Sequence, residues 1–385
     1  MKKFFENSGG KPTVKKVLSS ILAVAMIASV TTACGGSTGS TASTGGNAEE
    51  KEFSLKIGDN WGVTHPMAAA LDNVFKKQIE EKSGGKIKVD VYHDGLLGDE
   101  AALWQSVRDG SVDFTVVGTP MNQEFPMMLI SDWPFLYRDL DHAKKVWTGP
   151  IADEVSSKFH EKFPEVELLG WGPNSARTFT SNKKLTSVED FAGQKFRMPN
   201  NPIHVGITQN LGASATVIPL GELFTALETG TVDGQDNGMV TVLAQNFQEV
   251  QKYLYETNHI VATLEIVANT DKLEEMSENQ RQIIRDAAKA TAAQAWEDYI
   301  ASVDKDRQTL IDAGVTVTAC SDEDRAKIKE KISPNMYSTS MTIASARLNS
   351  FTALWSPPPL LPNLKKNGRM ILKSAKPSKI GRAHV

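Results

Sequence analysis

A chain of 385 residues with 40% hydrophobic composition can bury a sizeable core, and its length favours about two domains. Its formal net charge of −4 is unevenly spread: residues 1–33 carry +4 and residues 334–385 carry +8, which leaves −16 for residues 34–333. So acidic a body excludes a general nucleic-acid-binding role, and two cysteines exclude a disulfide framework.

The N-terminus reads as a targeting segment. Lys2, Lys3, Lys11, Lys15 and Lys16 precede an uncharged apolar run over residues 17–30, which is too short for a comfortable membrane span. Residues 1–33 are therefore predicted to be a secretory signal peptide, with cleavage leaving Cys34 first in the mature chain. That placement resembles the lipobox of bacterial lipoproteins, in which the cysteine is diacylated; Thr31 stands where leucine is usual. The Gly/Ser/Thr-rich residues 34–52 then read as a flexible tether to a lipid anchor on the outer face of the cytoplasmic membrane.

In the body, residues 54–57 alternate as a strand and residues 58–62 leave it as a loop. Leu71, Val74, Phe75 and Ile79 recur at helical spacing within 67–82, and Ser83, Gly84 and Gly85 end that helix. Ile87, Val89 and Val91 alternate as the next strand. Strand, helix and strand in that order predict an α/β fold with parallel pairing. A gapless repeat aligns residues 103–113 (LWQSVRDGSVD) with 223–233 (LFTALETGTVD). Each copy reads as a helix end, a glycine suited to the left-handed position and an entering strand. Residues 166–170 and 178–181 read as two short strands around Trp171, Gly172 and Pro173.

Residues 277–313 form one long helical pattern carrying Ile284, Ala288, Ala292, Ala295, Tyr299 and Val303. Such a helix exceeds the ~30 Å diameter of a small domain. It is predicted to span two lobes, one made of 53–174 plus 263–302 and the other of 175–262 plus 303–333. The tail, 334–385, has no Asp or Glu and includes Pro357, Pro358 and Pro359. It reads as the product of a frameshift near residues 333–335, and its last seven residues, KIGRAHV, as a translated sequencing adapter.

No phosphate-binding loop, dinucleotide fingerprint, zinc-protease motif or nucleophile elbow occurs in the sequence, so no cofactor and no metal is expected. His65, before Pro66 at a helix start, and His204 read as capping or surface histidines. Planar polar groups at strand ends and loops stand out instead: Asn60, Arg177, Arg197, Asn200, Asp236 and Asn237. Arginine presents a fixed fork of donors that matches a carboxylate. Phe196 and Met198 are expected to pack Arg197, Pro199 to fix the turn, and Asn200 to add a second polar contact.

Leu97-Gly98-Asp99, the repeat, WPFLY at 133–137, LTSVEDFAGQKFRMPNN at 185–201, LGASATVIPLGELFTALETGTVDGQDN at 211–237 and FQEVQKYLYETNHI at 247–260 carry a resemblance. Over residues 53–331 the chain resembles the extracytoplasmic solute-binding proteins of TRAP transporters, the DctP-type family. The resemblance implies a two-lobed fold that closes on its ligand by hinge motion, and membrane permease subunits as partners. It places Arg197 at the family's carboxylate clamp, and Asn200, Arg177, Asn60 and Asn237 at further ligand contacts. Glu100 falls where the sialic-acid branch has aspartate, and Val116 and Gly118 where that branch has phenylalanine and glutamate. Those differences argue against sialic acid and leave Trp61 to stack on a ligand. The expected ligand is a small organic acid, a sugar acid or a dicarboxylate, bound by a monomer. A sensory receptor domain and a secreted enzyme using Glu100 with a histidine are the alternatives.

Overall fold

The computed structural model describes residues 50–332 except Thr119, so the expected signal peptide, Cys34 and the basic tail lie outside the described residues. Among these residues two mixed sheets form. The first runs β2 (Ile87–Tyr92), β1 (Phe53–Gly58), β3 (Phe114–Val117), β10 (Val261–Asn269) and β4 (Val166–Ala176). The second runs β11 (Thr316–Ala319), β9 (Tyr253–Glu256), β5 (Thr178–Ser181), β8 (Gly234–Asn237), β6 (Lys195–Met198) and β7 (Ser214–Val217).

Sequence alternation sets these strands. In β1, Phe53, Leu55 and Ile57 point into the core while Ser54 and Lys56 face solvent. Parallel β1 and β2 need a crossover between them. The helical segments Pro66–Ala70, Leu71–Lys76 and Lys77–Lys82 supply it as one rod, whose middle turn is π-type.

The repeat is structural. Leu103 and Leu223 are both fully buried, as are Val107 and Leu227. Gly110 and Gly230 adopt φ of 76° and 69°, a left-handed turn that favours glycine. Val112 N donates to Ser106 O and Val232 N to Ala226 O, each at 3.2 Å. Asp113 accepts from Lys56 N, beside β3, and Asp233 from Lys195 N, beside β8, each at 2.8 Å.

The chain crosses between the sheets twice within a short distance. Only Arg177 separates β4 from β5, and its N donates to Ile260 O at 2.7 Å, just before β10. Both strands expected around Trp171, Gly172 and Pro173 form, β5 with the expected bounds, but β4 runs on through those three residues to Ala176, and its pairing with β10 shifts register between Ala262 and Thr263 and between Ile266 and Val267. Gly172 allows this, since a Cβ there would lie 2.4 Å from Met67 Sδ.

The helix Glu278–Asp312 has 35 residues and is ~52 Å long. Ser277 and Gln280 close a capping box at its start, and Gly314, at φ 87°, follows its end. Trp296 Nε1 donates to Trp171 O at 3.0 Å, and the Tyr299 hydroxyl accepts from Ala176 N at 2.5 Å. The helix is thereby fastened to the last strand before the first crossing, and β11 of the second sheet follows it.

Candidate ligand-binding site

Both copies of the repeat aim at one cavity. The helices Glu100–Arg108 and Leu220–Glu228 place their first residues on its wall, and Gly118 and Asn237 reach it from the carboxyl ends of β3 and β8. This is where open α/β sheets bind ligands. The cavity encloses about 440 Å³, the open solvent at its mouth included. Trp61, Glu100, Arg177, Arg197 and Asn237 line it; Asp132, Asn174, Pro199, His204, Leu220, Ala262 and Thr263 complete the lining.

Arg197 lies on the short strand β6, where alternation turns it away from its neighbours. Phe196 therefore packs edge-on against Phe179, and Met198 Sδ accepts from the Thr208 hydroxyl, so neither packs the guanidinium as expected. They anchor the strand that carries it. Arg197 Nε donates to Ile218 O at 2.7 Å, the one hydrogen bond of its guanidinium among the described residues. Burial, and next Arg177, bring its pKa down to about 10 against the pull of Glu100 and Asp236.

Arg177 stands differently. Its Nε donates to Asp236 Oδ1 at 2.9 Å, and its guanidinium also donates to Asp236 O. Burial opposes the Asp236 charge, yet Arg177, His259 and His204 hold that carboxyl well below the usual carboxylate range. His204, expected at a cap or on the surface, is buried here, with Nδ1 2.9 Å from Asp236 Oδ2 and Nε2 3.6 Å from Asp132 Oδ2. Burial and Arg177 oppose its protonation, but Asp132 and Asp236 prevail and raise its pKa. His65 does cap: its Nδ1 accepts from Met67 N at 3.2 Å.

The opposite wall is acidic. Glu100 Oε1 accepts from Gly118 N at 2.7 Å, and burial pushes the carboxyl up despite that bond and both arginines. A Cβ at position 118 would lie 3.0 Å from Glu100 Oε1, so glycine leaves the carboxylate its room. Trp61 is nearly buried, and its N donates to Asp59 Oδ1 at 2.8 Å.

Two expected contacts fall elsewhere. Asn60 is buried but turned into the loop beyond β2, donating to Gly98 O at 2.8 Å. Asn200 is exposed; its Oδ1 accepts from Gln123 Nε2 at 3.3 Å and its backbone O from Asn122 Nδ2 at 3.1 Å. Alternation and loop direction, not residue type, decide both. Among the described residues no group of His, Cys, Asp and Glu is arranged to hold a metal ion.

Residues 57–340 match the DctP family, bacterial extracellular solute-binding protein, family 7. A solute-binding protein of Roseobacter denitrificans is 29% identical over 295 residues, covering 74% of this chain and 90% of that one. The 2,3-diketo-L-gulonate-binding periplasmic protein YiaO of Escherichia coli is 30% identical over 270 residues, covering 69% and 80%. Among solved structures, the sugar acid binding protein DctPAm of Advenella mimigardefordensis, in complex with galactonate, gives a TM-score of 0.75 at 28% identity, covering 80% of this chain and 98% of that one. A TRAP periplasmic solute binding protein of Haemophilus influenzae with bound L-gulonate gives 0.71 at 27% identity, covering 77% and 100%. The chain thus belongs to the DctP family and is a two-lobed, extracytoplasmic TRAP solute-binding protein, not an enzyme.

Proposed function

We propose that the protein captures a sugar acid, an aldonate or uronate, by pairing its carboxylate with Arg197, and delivers it to the permease subunits of a TRAP transporter. The unequal state of the two arginines carries this reading. Arg177 is already matched by Asp236, whereas Arg197 lines the cavity with only Nε engaged among the described residues. One available fork suits one carboxylate better than two. Glu100, Asn174 and Thr263 suit hydroxyl groups, and the Trp61 ring suits the apolar face of a sugar. Gulonate and galactonate bound to related proteins support the class.

The lobes in this reading are 53–174 with 263–302 and 175–262 with 303–333. A ligand that touches both favours the closed state by its differential affinity for it. The protein works as a monomer held to the membrane through lipidated Cys34. A Cys34→Ala variant should then move from the membrane fraction to the soluble one, and unchanged membrane attachment would overturn the anchor. Uptake into proteoliposomes bearing the cognate permease should require the loaded protein. For the clamp, a thermal-shift panel of aldonates, uronates and dicarboxylates is compared in wild type and Arg197→Ala. Sugar acids should raise the wild-type melting point, since binding stabilises by mass action. Losing the charge partner should cost on the order of 2–5 kcal/mol of binding. Full affinity in Arg197→Ala would overturn the assignment.

A further inference from the structure

His204 and Asp132 share a geometry that the carboxylate clamp does not use. Asp236 is an acceptor only, so His204 Nδ1, 2.9 Å from it, carries the hydrogen. Nε2 then faces Asp132 Oδ2 at 3.6 Å, beyond hydrogen-bond reach. Both side chains are almost fully buried, and both line the cavity. They are also fixed in place. Asn201 donates to Asp132 Oδ2 at 2.6 Å and, through its Oδ1, caps the helix Pro202–Asn210 that carries His204 on its first turn. We propose that Asp132 and His204 form an acceptor–donor pair that holds one hydroxyl of the bound acid, making the pocket selective for hydroxy acids over their deoxy and keto counterparts. The inference rests on the sugar-acid reading above.

The chemistry favours a hydroxyl for a simple reason. It is a small group that accepts and donates at once, so it can take the Nε2 hydrogen of the imidazolium and give its own to Asp132. A keto oxygen accepts but cannot donate, and a methylene does neither. Either substitution leaves a buried polar group without the partner it would have in water. Asp132 and Asp236 favour the imidazolium that this arrangement needs, against burial, Arg177 and the neighbouring His259.

Titration calorimetry with galactonate, its monodeoxy analogues and 2-keto acids tests the pair in wild type, Asp132→Asn and His204→Gln. In wild type at least one deoxy or keto analogue should bind about tenfold or more weakly than its hydroxy parent. In Asp132→Asn that ratio should fall to within about threefold, mainly through weaker binding of the parent. If Asp132→Asn lowers the melting point, His204→Gln is read by the same ratio. A ratio near one in wild type, or one unchanged in both variants, overturns the inference alone. Failure of every sugar acid to bind wild type overturns the sugar-acid reading with it.

Discussion

The two halves of the molecule bring the same helix, turn and strand to the cavity, yet they meet it with opposite chemistry. Asp113 and Asp233 make the same bond to a neighbouring strand, and Gly110 and Gly230 turn the same way. At the first helical position, however, the first copy puts Glu100 on the wall and the second puts Leu220. Asp132 joins Glu100 on the chain of the first half, while Arg177 comes from the crossing between the sheets, Arg197 from β6 and His204 from the helix Pro202–Asn210. The repeated residues thus specify backbone geometry, and positions just outside the repeat specify polarity. A pocket acidic on one side and basic on the other suits a ligand with a carboxylate at one end and hydroxyl donors at the other.

The sharpest way to break this contrast is to remove Asp236. An unpaired Arg177 would be left buried, which should cost about 3–5 kcal/mol in urea unfolding of Asp236→Ala. Arg197→Ala loses a single backbone bond and should cost only about 1 kcal/mol of stability while abolishing tight binding. Equal stability costs would contradict the different roles given to the two arginines.

A second prediction separates the two halves by pH. His93 lies 2.6 Å from Asp59 Oδ2 and 3.1 Å from Asp72 Oδ2, and the Asp59 bond is the main cause that lifts its pKa to about 9. Burial raises the Asp59 carboxyl in turn, so acid also weakens the pair. The folded pKa of His93 exceeds its unfolded value, so this stabilisation is full below pH 6.5 and is lost as pH rises through about 9. His93→Gln should cost on the order of 2–3 kcal/mol near pH 6 and little above about pH 9, followed by thermal melts across pH. The pair of Asp236 with Arg177 should show no such loss over that range, because the Asp236 carboxyl is held well below the usual carboxylate range. A pH-independent His93→Gln effect would count against the pair.

Smaller effects test the repeat itself. Asp113→Ala and Asp233→Ala each remove one carboxylate bond to a backbone N and should cost about 1.5–3 kcal/mol, matched between the copies. Each aspartate also has a lysine partner near the surface, Lys272 for Asp113 and Lys183 for Asp233, and these should not upset the match. Gly110→Ala and Gly230→Ala should each cost about 1 kcal/mol through their positive φ. Unequal costs within either pair would mean the two copies share sequence without sharing energetics.

Much of this scaffold was legible in the sequence for identifiable reasons. The long helix announces its own ends, with Ser277 and Gln280 forming the capping box and Gly314 taking the left-handed turn. The repeat was readable because a buried apolar pair, a glycine and an aspartate at fixed spacing do the same local work twice. Arg197 was found by residue type, but its surroundings were misjudged, because on a strand the adjacent Phe196 and Met198 necessarily face the other way. Asn60 and Asn200 have the right chemistry and the wrong direction, which loop geometry alone sets. His204 stayed hidden because its partners Asp132 and Asp236 come near only through folding. The same holds for the pairing that neutralises Arg177.

The central claim is that Arg197, not Arg177, receives the carboxylate of the ligand. A crystal structure of the protein with galactonate or gulonate tests it most directly. Carboxylate oxygens should lie within about 3 Å of the Arg197 guanidinium, with Asp236 still bonded to Arg177. A carboxylate seated on Arg177 with Asp236 displaced, or one reaching neither arginine, would contradict it.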